Sequence, residues 1–388
     1  MRQRLELYFC MVLACFTRAW AQQMQMELAR HHLRCQMVQQ VCERPSYGIY
    51  QSGDCDGYVI LANNAEGHGK LLAYVPHGQW NWDAQPPWVQ HWLQRLDEYD
   101  TLNFCVDSVK PTRPSVFPLL TAHWHQKSPY NRLCPIIEDG NVKTVAGCVA
   151  IAASQVVYYW RDYLPEATLK DTPTYPYGIA PVTLSIPKGS PNNWDLILDK
   201  YDKMSPEESC NAVAQLVYVV GTTACLHYGS STGGSTNNAA TAIYLQFRLT
   251  SKTASRDQCT QEEWEALVYN DLAAGHPIIY SGTEPENSSG HAVVLDGYDG
   301  ETDLYHFNFG WGGDGDGYYT IDSLGMAGYS EGQDCVYDIH PESFDGIEDQ
   351  ECALLSSASP VFDLMGRRRA GLVPGLNIVD CRKVFCKP

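Results

Sequence analysis

The first residue that could do chemistry is Cys148, which opens an apolar run in "TVAGCVAIAASQVVYYW", residues 144–160. Gly147 before it permits tight backbone geometry and lets other atoms come close. Ala150, Ala152 and Ala153 after it favour a helix and leave little bulk around the sulfur. A thiol at a helix N-terminus meets unpaired N–H groups and the positive end of the dipole, and both favour thiolate. Its own N–H becomes a donor for an oxyanion. Taken alone, one cysteine among 15 is ordinarily a buried structural residue or half of a disulfide. A nucleophile needs partners.

His291 supplies a base or an imidazolium. It opens "HAVVLDGYDG", where His291, Val293 and Leu295 share one face of a predicted strand and Ala292, Val294 and Asp296 the other. "DGETD" turns the chain and "LYHFNFGW" returns. Hairpin pairing then brings Asn308 within a few residues of His291, where its amide could hold the imidazole. Cys–His–Asn is one arrangement for acyl transfer by a thiol. The same spacing also suits a turn histidine beside a turn asparagine. Gln126, in "HWHQKSPYNRLCP", lies upstream of Cys148 and offers a second oxyanion donor, or is a solvated loop residue. His123 and His125 beside it are competing bases that sit in no patterned strand.

These residues need elements to position them. Residues 26–44 repeat apolar positions at helical spacing through Leu28, Leu33, Val38 and Val41, and Pro45 stops them. "SGDCDG" is a turn cluster and "YVILA" a short β-rich run; "KLLAYVPHGQWNW" supplies one or two more strands. "PPWVQHWLQRLDEYDTL" returns to helical spacing. The first hundred or so residues read as one small α+β unit. Three prolines with Lys110 and Arg113 make residues 106–118 a linker open to proteolysis. Beyond it, helices over 148–160, "PEESCNAVAQLVYVVGTTACLHY", "STNNAATAIYLQFRL" and "TQEEWEALVYNDLAAG" precede the strands "PIIYSG", "HAVVLDGYDG", "LYHFNFGW" and "GYYTID". A helix-rich half followed by a strand-rich half predicts an α+β fold. After Asp345, alternating residues between Gly turns predict two or three short strands in a separate β tail.

The chain has 388 residues, enough for two or three domains, and a net charge of -18 that argues against a nucleic-acid partner. Residues 1–21 combine a basic start, a short apolar stretch and small residues at Ala19 and Ala21, as in a secretory signal peptide cut before Gln22. Val12–Cys15 faintly resembles a lipoprotein signal. No other stretch approaches the ~20 apolar residues of a transmembrane helix. An exported chain can use disulfides, and the cysteines outside the signal are odd in number. The sequence contains no CxxC pairs at zinc-ribbon spacing and no HExxH, so no metal or organic cofactor is implied.

"HQKSPYNRLCP", "AGCVAIAASQVVYYW", "NNWDLIL", "YGSSTGGS", "GHAVVLDGYDG" and "FNFGWGGDGDGYY" occur in this order. Together they resemble the streptopain family of cysteine peptidases, interpain- and periodontain-like enzymes included, over roughly residues 115–340. The papain signature Cys-Gly-Ser-Cys-Trp is absent, as in this branch of papain-like folds. The resemblance implies that Cys148 is the nucleophile, His291 the proton acceptor and Gln126 the oxyanion glutamine. It also matches Asn308 to the asparagine after the histidine strand, and Trp311 to the second tryptophan of an Asn-Trp-Gly-Trp pattern, shielding the pair from water. Phe309 departs from that pattern, and cannot donate an indole hydrogen bond. The Gly/Ser-rich "YGSSTGGS" is a candidate cleft loop. "GDCDGYVILANN" with "KLLAYVPHGQW" is similar to the inhibitory propeptide of the family. "VFDLMGRR" with "GLNIVDCRKV" resembles C-terminal modules of exported Bacteroides- and Prevotella-like proteins, which serve in sorting or attachment; a Cys381–Cys386 disulfide stays open.

The expected organisation is a signal peptide over 1–21, an inhibitory α+β propeptide over 22–110, a papain-like peptidase domain over 111–344 and a β tail over 345–388. The expected function is a bacterial secreted cysteine endopeptidase made as a zymogen. It acts on protein or peptide substrates with its own propeptide as inhibitor, and with no cofactor, nucleic acid or membrane span. The alternatives are an inactive protease-like binding protein, or another papain-fold amidase or transferase.

Overall fold

The computed structural model describes residues 22–63, 69–98, 113–137, 142–164, 186, 188–283, 290–321 and 331–342, and four strand segments between 361 and 386. The signal segment 1–21, linker residues 106–112 and tail residues 343–360 lie outside the described residues. The described part forms two compact units, divided between Pro114 and Ser115 except that Asp299–Tyr305 and the segment from Asp314 belong with the first.

The first unit opens with helix α1, residues 22–33. Strands β1 (Val38–Glu43), β2 (Tyr47–Ser52), β3 (Tyr58–Ala62) and β4 (Leu71–Val75) follow, then helix α2 (Pro87–Glu98). The helical reading of 26–44 therefore holds only to residue 33. Arg34 takes a left-handed φ of 50° and ends α1. Val38 and Val41 then enter β1, where antiparallel pairing with β2 outweighs their helical spacing. "KLLAYVPHGQWNW" gives one strand, not two, and β3 is buried at every position, as its unbroken apolar run requires. Ala29, Leu33, Val59, Leu61 and Leu71 form the core between α1 and the sheet.

The second unit begins with a two-strand pair, β5 (Ile136–Ile137) and β6 (Val142–Lys143), and then helices α3 (Cys148–Tyr159), α4 (Glu207–Thr223) and α5 (Thr236–Phe247). Strand β7 (Leu249–Ser255) and helix α6 (Gln261–Ala273) follow. Ser235 and Thr260 cap α5 and α6, the latter in a full capping box with Glu263. Next come strands β8 (Ile278–Thr283), β9 (Gly290–Asp299) and β10 (Leu304–Asn308). Strand β11 (Gly317–Tyr319) returns to the first unit and pairs antiparallel with β4. Strand β12 (Glu331–Pro341) then joins the second unit between β8 and β7. β7 and β12 were not foreseen; both alternate polar and apolar residues too irregularly to mark a strand. Helix α3 is buried along 149–158 and packs on α4, α5 and β8. Each buried Val or Ile there contributes roughly 1.5–3 kcal/mol. The tail carries four short strands, β13 to β16 (Val361–Phe362, Arg368–Arg369, Gly375–Val379, Arg382–Cys386), in a sheet of order β14-β13-β15-β16. Among the described residues no helix is long and apolar enough to cross a membrane.

A charged clasp ties the end of α6 to β12. His276 Nδ1 lies 3.2 Å from Asp271 and 3.4 Å from Asp338, and Lys252 sits 2.9 Å from Asp338. Burial alone would depress the His276 imidazole, but the two carboxylates raise it to about 9. A raised folded-state value means stability that is complete below the ordinary histidine range and is lost as pH climbs through about 9. The gap from 6.5 to about 9 corresponds to on the order of 3 kcal/mol. Urea unfolding at pH 6 and pH 10 should show that loss in the wild type, and much less of it in His276→Gln.

Candidate active site

Gly147 starts the site. It precedes α3 with a φ of 93°, and a Cβ there would stand 2.8 Å from Thr232 Cγ2. Only glycine fits both the angle and the space. Thr232 belongs to the "YGSSTGGS" loop, and its Oγ1 donates to the Val145 carbonyl at 2.7 Å while the Gly229 N–H donates to that same Oγ1 at 3.1 Å. The Val145 N–H donates to the Gly229 carbonyl at 3.2 Å. This loop is thus fastened to the segment that aims the cysteine.

Cys148 occupies the first position of α3 and is half-buried. Burial alone would push its thiol up. The His291 imidazole, by charge and by hydrogen bond, outweighs burial together with the N–H groups of Ala292 and Val149, and holds the thiol below its ordinary range. The structure therefore brings Cys148 and His291 together. His291 stands near the start of β9, opposite Gly282 of β8, and is 8% exposed. Its Nε2 lies 3.3 Å from the Phe309 carbonyl. A carbonyl only accepts, so Nε2 carries a proton there and Nδ1 is the nitrogen left to exchange one.

Asn308 ends β10 but does not meet the imidazole. Its Nδ2 donates to the Ala122 carbonyl at 2.7 Å. Its Oδ1 accepts from the Gln155 amide at 3.0 Å and from the Gly310 N–H at 3.1 Å. Both ends of the amide are committed, and the next carbonyl along the chain faces His291 instead. The Phe309 ring is buried and stacks on Phe307 at 5.4 Å. Any residue type offers a carbonyl, so phenylalanine in place of tryptophan leaves that contact intact.

Gln126 is brought close to the start of α3 through its backbone: its carbonyl accepts from the Ala146 N–H at 2.9 Å. The side chain is half-buried, and its amide has no hydrogen-bond partner among the described residues. Trp311 packs its ring on His125 at 5.0 Å. His125 Nδ1 in turn accepts the Lys127 N–H at 3.1 Å, which fixes the start of the Gln126 loop and occupies that competing histidine. The buried His306–Asp296 pair, 2.6 Å apart, braces the approach to this loop, because Asp296 also accepts the Leu120 N–H at 3.1 Å.

Sequence reasoning missed Gln155. It lies on α3 about two turns after Cys148 and is completely buried. Its Oε1 accepts the Trp124 N–H at 3.1 Å, and its Nε2 donates to Asn308. One side chain joins the segment before Gln126, helix α3 and the end of β10. The signal was a glutamine inside an otherwise apolar helix, since a buried amide must find partners. Gly310 completes the contact: its φ is 65°, and a Cβ would stand 2.9 Å from Ile151 of α3.

Among the described residues, two groups place ligand-type atoms within 4.8 Å of one another: Asp271, His276 and Asp338, and Cys35, Asp54 and Cys55. Neither includes Cys148 or His291. In the first, an imidazole shared by two carboxylates already accounts for the arrangement.

A model of the peptidase C10 family matches residues 124–319. Streptopain of Streptococcus pyogenes is 28% identical over 319 residues, covering 74% of this chain and 78% of that protein. The thiol protease/hemagglutinin PrtT of Porphyromonas gingivalis is 25% identical over 354 residues, covering 80% of this chain and 39% of that larger protein. Among solved structures, a fragment of Prevotella intermedia prointerpain A, mutated from cysteine to alanine, superposes with a TM-score of 0.63. It is 28% identical and covers 77% of this chain and 97% of its own. Active wild-type interpain A cysteine protease gives 0.53 at 33% identity, covering 59% of this chain and 98% of its own. These matches carry the papain-like α+β fold expected from the sequence.

Proposed function

The chain belongs to the peptidase C10 family and is a cysteine peptidase, and we propose that it is a secreted endopeptidase made as a zymogen. The observation that supports this site is a thiol at the start of α3, drawn below its ordinary range by His291 against the cost of burial.

In this reading the Cys148 thiolate attacks the scissile carbonyl carbon, and the carbonyl π electrons move to oxygen. The Gln126 amide and the Cys148 N–H, which has no acceptor in the first turn of α3, stabilise that oxyanion. His291, as imidazolium, protonates the leaving amine as the C–N bond breaks, and a thioester remains. Neutral His291 then takes a proton from water, hydroxide adds to the thioester, and Cys148 leaves as thiolate. The Phe309 carbonyl holds the imidazole through Nε2, and Asn308 positions that carbonyl through the backbone. Trp311 shields the pair from water through its packing beside the Gln126 loop.

Residues 22–110 are proposed to inhibit the enzyme until the 106–118 linker is cut. The match to prointerpain A spans more of this chain than the match to active interpain A, which supports a pro-segment. The basic-then-apolar start at 1–21 supports export, and residues 345–388 would serve sorting or attachment.

The test is titration with an irreversible thiol-directed reagent, followed by peptide mapping and by analysis of casein products. Label on Cys148 with new N-termini inside casein supports an endopeptidase. Transfer products, or hydrolysis of side-chain amides alone, would redirect the reading to an amidase or transferase. Gln126→Ala should lower kcat about 10²-fold with a smaller change in KM, because one of the two oxyanion donors remains.

A further inference from the structure

We propose that Cys35 and Cys55 form a disulfide across the open end of the β1–β2 hairpin, a covalent redox site in the first unit. The hairpin's outermost pair is Val38 opposite Ser52. Cys35 lies as far before Val38 as Cys55 lies after Ser52, so the same register, continued outward, sets the two cysteines opposite each other. The backbone holds them there without help from sulfur. The Gly53 N–H donates to the Met37 carbonyl at 2.8 Å. The Asp54 carboxylate accepts the N–H groups of Gln36 at 3.1 Å and Met37 at 3.3 Å. Both sulfurs and the Asp54 carboxylate then fall within 4.8 Å of one another.

The sulfurs are held by weak, replaceable contacts. Cys35 Sγ points at the Met37 carbonyl at 3.4 Å, and Cys55 Sγ is 2.8 Å from Ser52 Oγ. Side-chain rotation can bring them to bonding distance, because disulfides need neighbouring Cα atoms rather than new backbone geometry. Cys42 is no rival, since it pairs with Ile49 further along the same hairpin.

The oxidant is a small-molecule disulfide such as glutathione disulfide. Cys55 is exposed and Cys35 half-buried, and burial pushes the Cys35 thiol up. Cys55 thiolate therefore attacks first, forming a mixed disulfide and releasing one glutathione thiolate. Cys35 thiolate attacks the Cys55 sulfur, closes the Cys35–Cys55 bond and releases the second. Two protein thiols lose two electrons and two protons, and one glutathione disulfide becomes two thiols.

The experiment equilibrates the full chain, in a Cys148→Ala background that cannot cut itself, with glutathione buffers, and then traps free thiols by alkylation. The expected result is a cross-linked peptide joining Cys35 to Cys55, resolved from Cys42 by fragmentation and absent from Cys35→Ser and Cys55→Ser. The mixed disulfide on Cys55 should stay below about 10%, because the second thiol attacks at high effective concentration. Oxidation should raise the melting of the first unit by about 5 °C or more in the parent, and not in either serine variant. A persistent glutathione adduct on Cys55 with Cys35 still alkylated would overturn the proposal. So would linkage through Cys42, or protection of both thiols by added zinc but not by glutathione disulfide.

Discussion

Cys148→Ala is expected to leave the protein folded, full length and inert on casein, with hydrolysis at least about 10⁴-fold below wild type. The wild type, freed of residues 1–21, should trim its N-terminal unit and digest casein under reducing conditions. Alanine suits the first turn of α3 and removes a single sulfur from a residue that packs at the margin of the core, so the fold loses little. His291→Ala should abolish activity equally, and it has a second readout. Without the imidazole the main opponent of burial is gone, and the remaining N–H groups of Ala292 and Val149 face the desolvation cost alone. The pH dependence of Cys148 alkylation should therefore move upward, past the ordinary thiol value of about 8.5. Casein cleavage by Cys148→Ala at the wild-type rate would show that the cysteine is only the start of a helix. An unmoved alkylation profile in His291→Ala would show that the thiol is not held by that imidazole.

The pairing of Cys148 with His291 was legible because each residue leaves a local mark. Gly147 before an alanine-rich helix marks a close approach, and His291 opens an alternating strand followed by a turn and a return strand. The capped helices were legible for the same reason, Thr260 with Glu263 above all. What stayed hidden was non-local. Strand β1 looked helical because Val38 and Val41 keep a helical interval, and only pairing with β2 decides otherwise. Asn308 was expected against the imidazole because hairpin register brings the two close, but register does not say where an amide points. The Ala122 carbonyl and Gln155 come from segments far away in sequence, and they claim both ends of that amide. The imidazole is met by the Phe309 carbonyl, a backbone atom that no residue-type pattern can announce.

Gln155 is a positioning residue in this scheme, and its replacement should cost more than loss of Gln126. Gln155→Leu keeps the bulk of the side chain but releases the Trp124 N–H and one donor to Asn308. Unmet buried groups cost about 1–3 kcal/mol each, so stability should fall by roughly 2–4 kcal/mol. Activity should fall further than stability explains. The Gln126 loop and the Phe309 carbonyl would both drift, and a displacement of about 1 Å at one such group already costs on the order of 10²-fold. A kcat loss near 10³-fold is expected, measured well below the melting temperature. A merely structural glutamine would lower the melting point and leave the alkylation profile of Cys148 in place. A positioning glutamine shifts that profile upward, because His291 loses its fixed carbonyl. Gln155→Glu separates the two more sharply. As carboxylate it can still accept the Trp124 N–H but presents an acceptor to Asn308 Oδ1, where wild type presents a donor. Once protonated it donates again, and burial raises the pH at which it does so. The activity of Gln155→Glu relative to wild type should therefore recover as pH falls, whereas Gln155→Leu should show no such recovery. A flat ratio for both variants would remove Gln155 from the line that joins the Gln126 loop to His291.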